Sequence, residues 1–195
     1  MTQIDIGPAV RQMKELVRNI SDDEMKRATP CSETTVGDLL DHLSSFATGF
    51  TMAAKKQTEG LDRPPPKADS SRLGPDWRTR IPAELDGLEE AWRDPAAWTG
   101  MTKAGGRDFP GEVCGLIALD EVVVHGWDIA RATDQPYDCE PELAEAAMQF
   151  VKPLAESGEA LPGLFGPAVR VADGGSPLDR LLGMTGRDPA WAPPA

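Results

Sequence analysis

Apolar residues recur every three or four positions in four separate stretches of this chain, and this spacing is typical of amphipathic helices. The stretches predict helices over about residues 4–20, 35–57, 77–92 and 141–155. Each helix is expected to bury its apolar face and leave the opposite face in water. The pattern therefore indicates a helical protein whose core forms where these faces meet.

A further helix, expected over about residues 111–132, differs because it is apolar almost all the way round. Such a helix lies inside a domain rather than on its surface. It nevertheless carries Glu121 and His125, which are four residues apart and therefore share one face. A buried carboxylate is strongly disfavoured unless a positive charge compensates it. This helix is therefore the first place to look for chemistry.

His42 is the only other histidine of the chain, and it lies among the apolar residues of the helix predicted over 35–57. Neutral imidazoles and a carboxylate suit a divalent transition metal, and three protein ligands leave a position open for water or substrate. We therefore predict a metal site formed by His42, Glu121 and His125. The alternative is that Glu121 and His125 form an ordinary helical ion pair and that no ion binds.

Three residues near these candidates allow more than one interpretation. Asp128 can be a fourth ligand or an acceptor for the imidazole N–H, or it can form a salt bridge with Arg131, three positions later. Asp38 stands three residues after Thr35, and we interpret this pair as a helix cap. Cys114 can be a soft ligand or a reactive thiol, although a small buried apolar residue is the more common role.

Stretches without helical spacing separate the predicted helices. Residues 60–75 are rich in proline and charge, which predicts a long surface crossover. A small hairpin is expected between 99–102 and 107–109, with Gly105 and its neighbouring glycine at the turn. Glycine and proline dominate the end of the chain, with one short helix over about 178–184. The whole pattern predicts an all-α bundle of four main helices with a long crossover loop and a short C-terminal tail.

Composition narrows the classes of partner and location. The chain has 195 residues, of which 40% are hydrophobic, and this is enough for one domain with a core. Its formal net charge of −12 disfavours nucleic acid and anionic membranes as partners. No apolar run is long enough to span a membrane, and the N-terminus lacks the pattern of a signal peptide. Three cysteines without CxxC spacing indicate reduced thiols, so a cytoplasmic protein is expected.

Three stretches of the sequence resemble those of the mycothiol-dependent maleylpyruvate isomerase-like proteins of actinobacteria. Thr29-Pro30-Cys31 and the stretch 35–43 (TVGDLLDHL) resemble the opening motif of that family. The stretch 121–133 (EVVVHGWDIARAT) is similar to the second signature, and 187–191 (RDPAW) resembles the common ending. Together these motifs span most of the chain.

The resemblance implies a DinB/YfiT-like four-helix bundle over residues 1–156, with 157–195 as a tail that packs on the bundle and is not a separate domain. It also implies that His42 matches the first metal ligand of the family, Glu121 the second and His125 the third. Zinc is the expected metal, with nickel and iron as alternatives.

The function implied by the resemblance is that of a metal-dependent transferase or isomerase. In the isomerase branch, a low-molecular-weight thiol, mycothiol, adds to an activated double bond of a small electrophile, permits rotation about that bond, and leaves. Two other functions compete with this one. The protein can be a non-catalytic metal-binding or ligand-binding bundle that acts as a sensor or regulator, or a purely structural bundle. A homodimer is a further expectation.

Overall fold

Six α-helices and one two-stranded hairpin form the part of the chain that the computed structural model describes, residues 3–157 and 165–193. The helices are α1 (Gly7–Asn19), α2 (Val36–Ala54), α3 (Trp77–Trp92), α4 (Gly111–Ala132), α5 (Pro141–Ser157) and α6 (Pro177–Met184). The strands are β1 (Met101–Ala104) and β2 (Arg107–Pro110), and short 3-10 turns lie at Asp22–Lys26, Ser70–Arg72 and Pro95–Trp98. The expected all-α architecture is confirmed, and each predicted helix is present.

The first four helices form the bundle. Both α1 and α2 pack against α3 and α4, which places α1 and α2 at diagonal corners. Helix α4 also packs against α5, so it is covered on a third side. This explains why its sequence is apolar almost all round, because nearly every position faces another element. Among the described residues, no helix is long and apolar enough to cross a membrane.

The start of α2 is determined by a local capping box. The hydroxyl of Thr35 accepts the backbone N–H of Asp38 at 3.2 Å, and the carboxylate of Asp38 accepts the backbone N–H of Thr35 at 3.1 Å. The predicted capping role of Asp38 is therefore confirmed. Such a cap contributes about 1 kcal/mol and sets where the helix begins. His42 follows Asp38 by four residues and therefore lies on the same side of α2.

The long connection expected between the second and third helices is confirmed, since residues 55–76 contain only the short turn Ser70–Arg72 as a regular element. It is tied back to α2 by backbone N–H groups. Ser70 donates to a carboxylate oxygen of Asp38 at 2.8 Å, and Asp69 donates to Asp41 at 3.0 Å. This connection therefore covers the outer side of α2, and Leu73 near its end is buried in the core.

The predicted hairpin is also present, and its turn consists of two glycines. Gly105 and Gly106 have φ angles of 56° and 81°, which glycine adopts without the steric penalty of other residues. Ala104 pairs directly with Arg107 across this turn. Strand β1 therefore begins at Met101, two residues later than expected, because the two glycines form the entire loop.

The C-terminal residues lie against α4 and α5. Helix α6 packs on α5, and the side chain of Arg131 on α4 donates hydrogen bonds of 2.6 and 3.2 Å to the carbonyl oxygen of Trp191. Residues 158–164 and 194–195 of the expected tail lie outside the described residues. The division into a bundle over 1–156 and a tail over 157–195 stays a prediction.

Candidate metal centre

Three side chains from α2 and α4 meet at one point of the bundle. Oε2 of Glu121 lies 3.1 Å from Nε2 of His42 and 3.2 Å from Nε2 of His125. The potential ligand atoms all lie within 4.8 Å of one another. The two imidazole rings are nearly perpendicular, with centroids 5.0 Å apart. The structure therefore brings together the three predicted ligands, although His42 and Glu121 are 79 positions apart.

The spacing and the exposure of these side chains fit a divalent metal. Bonds of about 2.0–2.1 Å in a tetrahedral arrangement place neighbouring ligand atoms about 3.3 Å apart. The separations of 3.1 and 3.2 Å at Glu121 are close to that value. The cluster is also partly open, since the side chains of His42, Glu121 and His125 are 25%, 17% and 11% exposed. The donor set therefore suits a transition metal with an open position, and its occupation by a metal stays a prediction.

Asp128 orients the imidazole of His125. Oδ2 of Asp128 lies 2.9 Å from Nδ1 of His125, one turn earlier on α4. Because this hydrogen bond occupies Nδ1, Nε2 is the nitrogen that faces the cluster and would bind a metal once it has lost its proton. Of the roles considered for Asp128, the geometry fits that of an acceptor behind the imidazole.

The salt bridge considered between Asp128 and Arg131 is not the one that the structure shows. Instead, the guanidinium of Arg187 lies 3.0 Å from Oδ2 and 3.4 Å from Oδ1 of Asp128. Asp128 is fully buried and faces the interior, whereas Arg131 is half-buried and extends towards Trp191. The side chains of Asp128 and Arg131 therefore point in different directions from α4. The charge of Asp128 is compensated by a residue from a distant part of the chain.

The buried charges shift the pKa values of the cluster in opposite directions. Burial alone would lower the pKa of His125, but hydrogen bonds with Asp128 and Glu121, together with their charges, raise it to about 10. Burial alone would raise the pKa of Glu121, but its hydrogen bonds with the two imidazoles hold that pKa well below its usual range. In the metal-free protein His125 is therefore an imidazolium at pH 7. Its positive charge compensates the buried carboxylates, as a bound metal cation would do in its place.

Asp120 is a second acidic residue buried in this part of α4. It is only 4% exposed, and among the described residues its Oδ1 has no hydrogen-bond partner. Burial, followed by the negative charge of Glu121, raises the pKa of Asp120 to about 8. Asp120 is therefore a neutral carboxylic acid at pH 7. A neutral acid costs much less to bury than a carboxylate, so Asp120 needs no counter-ion.

Phe46 forms an apolar wall on one side of the cluster. It follows His42 by one helical turn, and its ring centroid lies 5.6 Å from that of His42 and 6.4 Å from that of His125. An apolar wall limits the access of water and strengthens electrostatic interactions beside it. The cluster therefore has one dry side, formed by Phe46, and one side on which His42 reaches solvent.

Cys114 lies outside the cluster of candidate ligands. It is fully buried, and burial raises the pKa of its thiol to about 12. A neutral, inaccessible thiol is neither a good nucleophile nor a good ligand. Of the interpretations considered for Cys114, the structure therefore fits that of a small buried apolar residue.

Two cavities of about 260 and 430 Å³ lie beside the N-terminal residues Gln3 and Ile4. The larger one also touches Leu116 of α4 and Gln149 of α5. Neither cavity is lined by a candidate metal ligand. The chemistry of the His–Glu–His cluster, rather than cavity size, identifies the candidate site.

Asp120 and Arg187 are the residues of this region to which the sequence patterns assigned no role. Arg187 is the first residue of the C-terminal motif, but it contacts Asp128 across 59 positions of the chain. A contact over that distance produces no periodic pattern in the sequence. The sequence feature that could have identified Asp120 is an acidic residue within an apolar helical stretch. Because neighbouring helical positions are turned by about 100°, Asp120 does not share the face of Glu121 and His125.

The described fold is similar to two crystal structures of the mycothiol-dependent maleylpyruvate isomerase, one of them of a histidine-to-alanine mutant. The TM-scores are 0.56 and 0.55, at 18% sequence identity. Each comparison covers 75% of this chain and 64% of the isomerase chain. This chain therefore matches less than two thirds of the isomerase's length, and at this identity the similarity shows the fold alone.

Two proteins of Mycobacterium tuberculosis, both described as uncharacterized, are 26% identical to this chain over 178 residues. The similarity covers 88% of this chain and 90% of each relative. In addition, the profile of the mycothiol maleylpyruvate isomerase N-terminal domain matches residues 6–130. That range is more than half of the chain and includes all three candidate ligands. The protein therefore belongs to the mycothiol maleylpyruvate isomerase N-terminal domain family.

Proposed function

We propose that this protein is a metal-dependent transferase or isomerase that uses a low-molecular-weight thiol, mycothiol, on a small electrophilic substrate. The observation that carries this proposal is the Glu121 oxygen 3.1 and 3.2 Å from the ring nitrogens of two histidines. His42, Glu121 and His125 would hold the ion, with zinc as the expected metal and nickel and iron as alternatives. Membership of the family supports mycothiol as the thiol.

Each residue of the site has a definite task in this function. A divalent ion held by these residues would act as a Lewis acid and would lower the pKa of a bound thiol towards the nucleophilic thiolate. Glu121 supplies negative charge that offsets a dication, and Asp128 holds His125 in the tautomer with Nε2 free. Phe46 keeps one side of the site apolar. The partly exposed edge of His42 leaves a route for the thiol and the electrophile.

Metal analysis of protein purified without a histidine tag tests the first half of the proposal. We expect stoichiometric divalent metal in the unaltered protein and its loss in the His42→Ala variant. Asp38→Asn is the matched control, because it removes a carboxylate from the same helix while the N-cap residue Thr35 and an accepting oxygen at position 38 remain. Asp38 is bonded to Thr35 and Ser70 rather than to the cluster, so its variant should keep the metal. If His42→Ala retains full metal content, the proposed ligand set is wrong.

Thiol conjugation separates the enzyme from its rivals. The metal-loaded protein is incubated with mycothiol and a panel of small electrophiles that includes maleylpyruvate, and products are followed by chromatography and mass spectrometry. Turnover that needs mycothiol and disappears with a chelator or in His42→Ala supports the enzyme. Metal binding without thiol-dependent turnover favours a sensor or regulator. A protein that binds no metal under any loading condition favours a purely structural bundle.

The remaining expectations about location and partners stay predictions. The net charge of −12 supports the absence of nucleic-acid partners, because phosphate backbones are bound by basic surfaces. A cytoplasmic location and a homodimeric state are also proposed. Size-exclusion chromatography with light scattering tests the dimer directly.

A further inference from the structure

The C-terminal residues reach the candidate metal centre through one buried ion pair, although they supply none of the candidate ligands. Nη2 of Arg187 lies 3.0 Å from Oδ2 of Asp128, and the exposed fractions of the two side chains are 8% and 0%. The same Oδ2 lies 2.9 Å from Nδ1 of His125. A continuous chain of contacts therefore runs from the C-terminal residues through Asp128 to the candidate ligand His125.

Arg187 forms hydrogen bonds within its own segment in addition to its contact with α4. Its Nη1 donates to the carbonyl oxygen of Thr185 at 2.9 Å, and its backbone N–H donates to that of Leu182 at 2.8 Å. Both Thr185 and Leu182 are fully buried. The guanidinium is therefore a fixed part of the interior rather than a flexible surface charge. We call residues 177–191, which include α6 and the C-terminal motif, the C-terminal clasp.

The charge of Arg187 matters because Asp128 has no access to water. A fully buried carboxylate without a counter-ion is strongly unfavourable, and removing one partner of a buried pair leaves the other uncompensated. Without that partner the Asp128 side chain would lose the contact that holds it in place, and its hydrogen bond to the His125 imidazole would weaken. Arg187 therefore affects His125 without touching it.

We propose that Arg187 is a positioning residue of the metal centre, acting through Asp128 on His125, so that metal binding and docking of the C-terminal clasp favour each other. This inference rests on the metal site proposed above. The coupling is reciprocal by thermodynamic linkage, since whatever the docked clasp adds to metal affinity, the metal adds to clasp docking. Residues that support metal ligands in this way typically contribute roughly 10-fold to 100-fold in affinity.

Zinc affinity in a matched set of variants tests the proposal. Competition with a chromophoric chelator should show a loss of roughly tenfold or more in Arg187→Met, and partial recovery in Arg187→Lys, which keeps the charge but not the planar fork. Arg131→Met is the control, because it removes one contact of the clasp, at Trp191, while the Arg187–Asp128 ion pair that holds the clasp on α4 remains. It should leave zinc affinity unchanged. In an Asp128→Asn background, Arg187→Met should have little further effect, because the ion pair through which Arg187 acts on His125 is already gone.

A second measurement uses the unaltered chain, since loss of a buried charge can also unfold the protein. The backbone N–H groups of Arg187 and Trp191 are bonded within the clasp, to the carbonyl oxygens of Leu182 and Asp188. Hydrogen exchange of these amides should slow severalfold when zinc is added to metal-free protein. Cobalt in place of zinc should give a ligand-field spectrum that changes in Arg187→Met and not in Arg131→Met.

The outcomes separate this inference from the metal site on which it rests. The positioning role is wrong if Arg187→Met and Arg131→Met bind zinc equally well and zinc does not change hydrogen exchange in the clasp. The proposed metal site is not affected by that result. An unaltered protein that binds no zinc overturns both. A selective loss in Arg187→Met with zinc-dependent exchange of the clasp supports both.

Discussion

Helix α4 divides into an apolar half, residues 111–119, and an acidic half, residues 120–132, which are similarly buried but have opposite surroundings. In the first half, Gly115 packs against two tryptophans so closely that a Cβ atom there would lie 2.6 Å from a ring carbon of Trp98 and 2.9 Å from one of Trp92. In the second half, Glu121 and His125 place ionisable groups in the interior. Close apolar packing stabilises the fold, whereas buried charges oppose it unless they are compensated. A single helix therefore carries both the packing of this protein and its candidate chemistry.

This difference between the two halves predicts which substitutions should change stability and which should change metal binding. If the two halves are truly separate in function, variants of the tryptophan contact should change stability alone. Variants and pH changes at the acidic half should alter metal binding or the pH dependence of stability.

The largest expected effect is on the apolar half. Trp92 is 1% exposed, so Trp92→Ala should lower the free energy of unfolding by about 3–5 kcal/mol through lost burial and an unfilled cavity. Trp92→Phe should cost less, because it fills part of that space. Guanidinium denaturation in the presence of a chelator measures this effect. Zinc stoichiometry of folded Trp92→Ala should stay unchanged, and a loss of zinc binding would show that the two halves are not independent.

The next effect is the pH dependence of metal binding at the acidic half. In the metal-free protein the pKa of His125 is raised to about 10, so a proton must leave Nε2 before that nitrogen can bind an ion. Zinc affinity should therefore rise about tenfold per pH unit between about pH 7 and pH 9. Calorimetry in buffers of different ionisation enthalpy should detect about one released proton. An affinity that does not vary with pH in this range would contradict the proposed ligand role of His125.

The same raised pKa has a consequence for folding without metal. An imidazole that ionises near pH 6.5 in the unfolded chain and at about 10 in the folded one stabilises the fold fully below pH 6.5. This contribution is lost as the pH rises towards 10. Asp128→Asn removes one of the hydrogen bonds that raise the pKa of His125, so the variant should show a weaker dependence. Urea unfolding of the chelator-treated proteins over this range measures the difference.

The effect tested over the narrowest pH range concerns Asp120. Its carboxyl ionises near 3.8 in the unfolded chain and at about 8 in the folded one, so between these values the unfolded chain holds fewer protons. The stability of the metal-free protein should therefore fall with rising pH, by on the order of 1 kcal/mol per pH unit. Asp120→Asn should remove this slope. Urea unfolding between about pH 4.5 and pH 6.5, below the range of His125, tests it, and an unchanged slope in the variant would be the contrary result.

Local patterns predicted much of the fold for a simple physical reason. Amphipathic spacing, a capping box and a Gly-Gly turn depend on residues that are close in the chain. The helices α1 to α6, the cap at Asp38 and the shared face of Glu121 and His125 could all be read from the sequence in this way. The start of β1 was wrong by two residues, because the turn occupies only Gly105 and Gly106.

The partner of Asp128 shows where local rules end. Helical spacing favours Arg131, three positions away, yet the compensating guanidinium belongs to Arg187. Spacing along a helix states which side chains can meet, but not which of them turn to the interior. That choice depends on what packs against the helix, and here the C-terminal clasp supplies the counter-ion.

The sequence by itself determined the helices, the buried character of α4 and the i, i+4 pairing of Glu121 with His125, because these follow from periodicity and side-chain chemistry. Tertiary packing decided that His42 meets Glu121 from another helix, that Arg187 compensates Asp128, and that Asp120 is buried as a neutral acid. These contacts join residues up to 79 positions apart or depend on solvent exclusion by several elements at once. They exist only once the helices have packed, since no short stretch of chain can bury a charge alone.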